Sequence, residues 1–166
     1  DLGCSYVICS HSERRQILGE SDEFVARKVK AVLENDMIPI LCVGETEEER
    51  KEGQTEERIG SEIRTALFAL SKEETAKMVI AYEPIWAIGS GQAATPKDAE
   101  EIASFIRKTV KEAAGKKAAD EVRILYGGSV NGDNISYFLK QKNIDGALIG
   151  GASLKPDTMI DIYNKA

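Results

Sequence analysis

Apolar residues gather in five short runs: Tyr6 to Cys9, Ile38 to Val43, Met78 to Tyr82, Val122 to Tyr126 and Asp145 to Ile149. Within them the apolar positions are mostly continuous rather than alternating. That pattern predicts strands buried on both faces, as in a parallel sheet. A buried helical segment has the same appearance over so few residues, but the flanking glycines and prolines favour strands. Between the runs the period changes. Ile59, Ile63, Ala66, Leu67 and Leu70 share one helical face, and Ile102, Ile106, Val110 and Ala113 do the same further on. Ser21 before Asp22 and Glu23, and Thr95 before Pro96, are helix-start signals. The acidic residues at such starts complement the helix dipole. The charged stretch Glu45 to Arg58 is expected to be a solvated helix start interrupted by Gly53.

Five strands alternating with five helical stretches, with no linker and no low-complexity segment, predict a single domain over residues 1–166. Repeated βα units require a parallel sheet with helices outside it. Two architectures meet that requirement: an open doubly wound sheet, and an arc of a (β/α)8 barrel. A closed eight-stranded barrel takes about 250 residues. Either the sheet is open, or roughly three units of a barrel are missing. The chain starts on Asp1 rather than methionine and turns strand-like at Tyr6, so it is expected to begin in mid-protein.

Composition narrows the function classes. The chain carries 22 basic and 28 acidic residues, a net charge of −6. That balance argues against a nucleic-acid partner, which needs clustered Lys and Arg. No apolar run approaches the roughly 20 residues of a membrane-spanning helix, and no membrane association or secretory signal is expected. Cys4, Cys9 and Cys42 are odd in number and lie in or beside apolar runs. They are expected to be buried free thiols in a reducing, cytoplasmic compartment.

In both architectures chemistry gathers at the C-terminal ends of the strands. The first strand ends in Ser10-His11-Ser12-Glu13-Arg14-Arg15, which contains the one histidine of the chain. A helix N-terminus favours a neutral imidazole, which can donate a hydrogen bond to a carbonyl. A structural histidine beside a surface ion-pair cluster is the alternative. The third strand ends in Glu83, followed by Pro84-Ile85-Trp86-Ala87-Ile88-Gly89-Ser90-Gly91. A carboxylate at the sheet rim gains basicity from partial desolvation. Rigid and apolar residues bounded by glycines suit a loop that closes as a body, or else a packed connection anchored by Trp86. The last two strands end in Gly127-Gly128 and Gly150-Gly151. Paired glycines let a backbone approach a ligand and expose N–H groups to a phosphate. Two such pairs on consecutive strand ends match the usual phosphate site of a barrel, which favours that architecture. Neither a P-loop, a dinucleotide fingerprint nor a metal-ligand spacing is present.

Several motifs taken together closely resemble the triosephosphate isomerase family: Ser-His-Ser-Glu-Arg-Arg at 10–15, Cys-Val-Gly-Glu at 42–45, Ala-Tyr-Glu-Pro-Ile-Trp-Ala-Ile-Gly-Ser-Gly at 81–91, Tyr-Gly-Gly-Ser-Val at 126–130 and Ile-Gly-Gly-Ala-Ser-Leu at 149–154. They run in order from end to end of the chain. The resemblance implies a partial (β/α)8 TIM barrel of five parallel strands alternating with helices. It also implies interconversion of dihydroxyacetone phosphate and D-glyceraldehyde 3-phosphate, in glycolysis and gluconeogenesis, with no cofactor and no metal. On this resemblance Glu83 is the base, neutral His11 polarises the carbonyl and shuttles protons, and Glu13 is a supporting carboxylate. Residues 84–91 form a lid over the phosphate, and N–H groups of Gly89, Ser129, Gly150 and Gly151 hold it. Another barrel enzyme acting on phosphorylated sugars would account for the glycine pairs but not for the glutamate-loop motif.

Two departures bear on these expectations. Ser10 stands where the family motif usually has glycine. The family's first three βα units, with the strand-end asparagine and lysine they carry, have no counterpart here. The segment alone is therefore expected to be inactive, with a non-catalytic barrel fragment as the alternative. The complete family protein is a homodimer whose interdigitating loop lies in those missing units, and self-association of this segment is expected from its open edges.

Overall fold

The computed structural model describes residues 2–88 and 93–166. Its strands are β1 (Tyr6–Cys9), β2 (Ile38–Val43), β3 (Val79–Tyr82), β4 (Arg123–Tyr126) and β5 (Gly146–Ala147). All neighbours are parallel, in the order β1-β2-β3-β4-β5. A doubly wound sheet reverses its strand order at a switch point. The unreversed order therefore decides for the barrel arc, a partial TIM barrel.

Nine α-helices lie among the described residues: α1 (Ser12–Leu18), α2 (Asp22–Glu34), α3 (Glu47–Lys51), α4 (Thr55–Leu67), α5 (Lys72–Lys77), α6 (Pro96–Ala114), α7 (Lys116–Glu121), α8 (Ile135–Leu139) and α9 (Pro156–Lys165). The expected starts hold. Ser21 Oγ accepts from the Phe24 N–H at 3.3 Å, and Thr95 Oγ1 from the Asp98 N–H at 3.1 Å, with Pro96 as the first helical residue.

The core lies between the sheet and its helices. Parallel register sets Cys9, Leu41, Ile80 and Ile124 side by side, and Val43, Tyr82 and Tyr126 in the next row of that face. All are buried against α2, α4 and α6, which supply Val25, Val29, Ile59, Ile63, Ile106 and Val110. The opposite, concave face is barer: Ile8 is 48% exposed, and Ile40 and Leu125 are only partly buried.

Four expectations need correction. On α6 Ala114, not Ala113, is the buried end of the apolar stripe. At 3.6 residues per turn Ala113 and Ala114 fall about 60° and about 40° to opposite sides of Val110, and the core covers the side of the Ile106-Val110-Ala114 row. The charged stretch is interrupted at Gly53, φ 71°, as expected, but into two helices, α3 and α4. Its first residue, Glu45, is fully buried rather than solvated. Cys4 is exposed because it precedes the sheet, while Cys9 and Cys42 are buried; all three are free thiols. The fifth strand is only two residues long, though the Leu148 N–H still reaches the Tyr126 carbonyl at 2.9 Å. Its ladder pairs only with Leu125 and Tyr126, the last two residues of β4. Among the described residues no helix is long and apolar enough to cross a membrane.

Candidate active site

A cavity of about 390 Å3 opens at the C-terminal ends of the strands, where His11, Glu83, Ile88, Ser129, Gly150 and Gly151 line it. A cavity of similar size, about 400 Å3, lies between α5 and α7. That one has a rim of lysines with Glu73 and Glu121 over alanines. The strand-end cavity sets a histidine against a buried carboxylate.

His11 is the N-cap of α1, and its Nδ1 accepts the Glu13 N–H at 3.3 Å. A neutral ring that accepts at Nδ1 carries its proton at Nε2. That Nε2 lies 3.4 Å from Glu83 Oε1. Glu83 follows β3, whose four residues are all buried, and is itself 3% exposed. Its Oε2 receives the Ser12 N–H at 3.4 Å, and Cys42 lies beside the carboxylate in the lining of a small adjoining void. Burial pushes the Glu83 carboxyl above the ordinary carboxylate range, against the opposing pull of His11, Cys42 and Ser12. Burial, with the charge of Glu83, raises the Cys42 thiol well above its usual value, so it stays protonated. Gly127 permits this packing: a β-carbon there would stand 2.8 Å from Glu83 Cγ.

Across the cavity, Ser129 Oγ donates to the Ala87 carbonyl at 3.0 Å, tying the β4 end to the segment after β3. Gly150 and Gly151 open the 3-10 turn Gly151–Leu154, where Ser153 donates back to the Gly150 carbonyl at 2.9 Å from its N–H and 2.7 Å from Oγ. Bare backbone thus faces an acid–base pair across one cavity.

Comparison with known proteins gives the family of the chain. Residues 1–166 match the family model described as triosephosphate isomerase. The chain belongs to the triosephosphate isomerase family. It is 52% identical over 164 residues to the triosephosphate isomerase of Roseiflexus sp. (strain RS-1), covering 99% of this chain and 65% of that protein. It is 52% identical over 162 residues to that of Dictyoglomus turgidum, covering 98% and 65%. The chain thus spans just under two thirds of the length of these relatives.

The isomerase-family motifs do not all meet at the cavity. His11, Glu83, Ser129, Gly150 and Gly151 line it. The Glu13 side chain is exposed and bonds no described residue; its backbone N–H caps His11, and its charge adds to the rise at Glu83. Gly89 lies outside the described residues. Among the described residues no group of three or more His, Cys, Asp or Glu side chains is placed to hold a metal ion.

Cys42 and Glu45 stand in the Cys-Val-Gly-Glu motif, and their spacing along the chain indicates no role for either. Glu45 Oε1 accepts from Trp86 Nε1 at 2.9 Å and Tyr82 Oη at 3.1 Å, and faces Arg50 Nη1 at 3.4 Å. Arg50 also covers the Trp86 ring, 4.7 Å from its centroid. Trp86 is the anchor of its connection, and Glu45 is what it is anchored to. The available signal was a carboxylate two residues past the end of an apolar run.

Proposed function

We propose that these residues carry the larger part of the active site of a triose-phosphate isomerase, interconverting dihydroxyacetone phosphate and D-glyceraldehyde 3-phosphate through an enediolate. The observation that carries this reading is the desolvated Glu83 carboxylate 3.4 Å from the Nε2 of His11, within the cavity that the glycine pairs line. Glu83 takes a proton from the carbon beside the substrate carbonyl, and its burial raises its basicity for that step. The Nε2–H of His11 donates to the carbonyl oxygen and steadies the charge that develops there. N–H groups of Ser129, Gly150, Gly151 and Gly89 hold the phosphate, as exposed backbone amides do. Glu13 supports the pair through its charge. Residues 84–91 act as the lid, with Trp86 near its start bonded to Glu45.

In this reading the chain is one domain, works without cofactor or metal, and acts in the cytoplasm, in glycolysis and gluconeogenesis. The complete protein is a homodimer, nucleic acid is not a partner, and the remaining strand-end asparagine and lysine come from the family's first three βα units.

Glu83→Asp in the complete protein tests the assignment, because it keeps the charge and withdraws the base by one methylene. Expected is a fall in kcat on the order of 100-fold with KM largely kept. An unchanged kcat removes Glu83 as the base. A second reading, a non-catalytic barrel fragment, is favoured by the bare concave face, where Tyr6 and Ile8 are about half exposed. Intact mass and an isomerase assay on one sample separate the two: 18.1 kDa without activity supports the fragment.

A further inference from the structure

Ser10 is buried at 1% exposure and holds φ 70°, one of two non-glycine residues with positive φ among the described residues. A side chain disfavours that left-handed backbone, which glycine adopts freely. The residue immediately after it is His11, so the strained turn decides where the imidazole stands. The Ser10 hydroxyl accepts a hydrogen bond from Arg15 Nε. Arg15 is itself held on the other side: Nη1 pairs with Asp22, and Nε stands 3.4 Å from Glu62 Oε1. Glu62 accepts the Gly44 N–H at 3.0 Å, and Gly44 packs so tightly on the Glu83 backbone that a β-carbon would collide with the Glu83 carbonyl. Ser10, Arg15, Gly44, Glu62 and Glu83 together close around a void of only about 10 Å3. The turn before His11 and the backbone of Glu83 therefore rest on one buried ionic cluster.

We propose that Ser10 is a positioning residue for His11, acting as a pair with Arg15: the hydroxyl–guanidinium bond secures a left-handed turn that a serine would otherwise disfavour. The inference deepens the isomerase reading above, but its primary test does not need activity. His11 is the sole histidine of these residues, so its imidazole nitrogen resonances report its placement directly, assigned by their loss in His11→Gln.

Ser10→Ala keeps the strain and removes the acceptor. Its ring signals are expected to shift and broaden. Ser10→Gly removes strain and bond together and is expected to return them to the wild-type positions. Ser10→Asn, which tolerates this backbone and offers an amide oxygen, is expected to do the same. In the complete protein, kcat of Ser10→Ala is expected to fall about 10-fold with KM within about 2-fold, recovering in Ser10→Asn. Ring signals of Ser10→Ala that superimpose on wild type would overturn the proposal, as would equal displacement in the alanine and glycine variants. If Ser10→Ala does not fold, Arg15→Lys reads the same bond from its other end. Displacement of the ring by Arg15→Lys in the serine protein but not in a Ser10→Gly background supports the pairing; equal displacement in both overturns it. Failure of the isomerase reading would show separately, as an unchanged kcat in Glu83→Asp.

Discussion

At the residue scale, two buried carboxylates, Glu62 and Glu83, give the sharpest tests. Glu62 is 2% exposed, and burial raises its carboxyl to about 7 against the pull of Arg15 and Arg58. Its unfolded value is the ordinary one, so between about pH 4.5 and about 7 the folded state binds more protons. Stability therefore falls as pH rises through that window, and Glu62 accounts for about 2–3 kcal/mol of the fall. Denaturant titrations at pH 5 and pH 8 are expected to show this loss, and Glu62→Gln to flatten it. An undiminished slope in that variant would place the effect elsewhere. Gly127 provides a second case. Gly127→Ala forces Glu83 aside, and the expected results are a loss of about 1–3 kcal/mol and a fall in kcat on the order of 10-fold in the complete protein. Wild-type kcat in a folded Gly127→Ala protein would show that Glu83 tolerates the displacement.

Among the elements, α6 shows how much local sequence decides. Thr95 and Pro96 mark its start, Thr95 Oγ1 satisfies the Asp98 N–H, and Ile106 and Val110 fall on the buried face. Thr95→Ala is expected to cost about 1 kcal/mol through the lost cap, and Ile106→Ala about 2–5 kcal/mol through the cavity it leaves. Thermal denaturation of the two variants checks that order; a cap variant as damaged as the core variant would contradict it. β1 and β2 span the residues their apolar runs indicate, because continuous apolar sequence bounded by breakers has few alternatives. β5 does not: its ladder pairs only with Leu125 and Tyr126 and ends where β4 ends, a limit set by the neighbouring strand rather than by its own residues. The stretch from Glu45 to Arg58 is the instructive miss. A carboxylate in a charged run has the same letters whether it faces water or is buried, and the partners that bury Glu45 lie at Tyr82 and Trp86.

For the molecule as a whole, the decisive feature is an arc with two edges. β1 and β5 each have one strand neighbour, and apolar side chains stand bare at both ends: Tyr6, Ile8, Ile17 and Leu18 at one, Leu154, Ile160 and Tyr163 at the other. Exposed edges and apolar patches drive association. The 166-residue chain by itself is expected to self-associate at micromolar concentration in sedimentation velocity, and Ile8→Lys to weaken that association. A compact monomer at all concentrations would refute this. The sequence by itself determined the alternation of strand and helix, the helix starts, and the motifs that place His11 and Glu83 at strand ends, since these depend on period, caps and local chain chemistry. The tertiary structure alone decided that Glu45 and Glu62 are buried while Glu13 is exposed, that Ser10 takes a left-handed turn, and that His11 Nε2 and Glu83 Oε1 stand 3.4 Å apart. Those outcomes depend on which distant segments pack together, and desolvation is a property of the packed whole rather than of any residue's own neighbours in the chain.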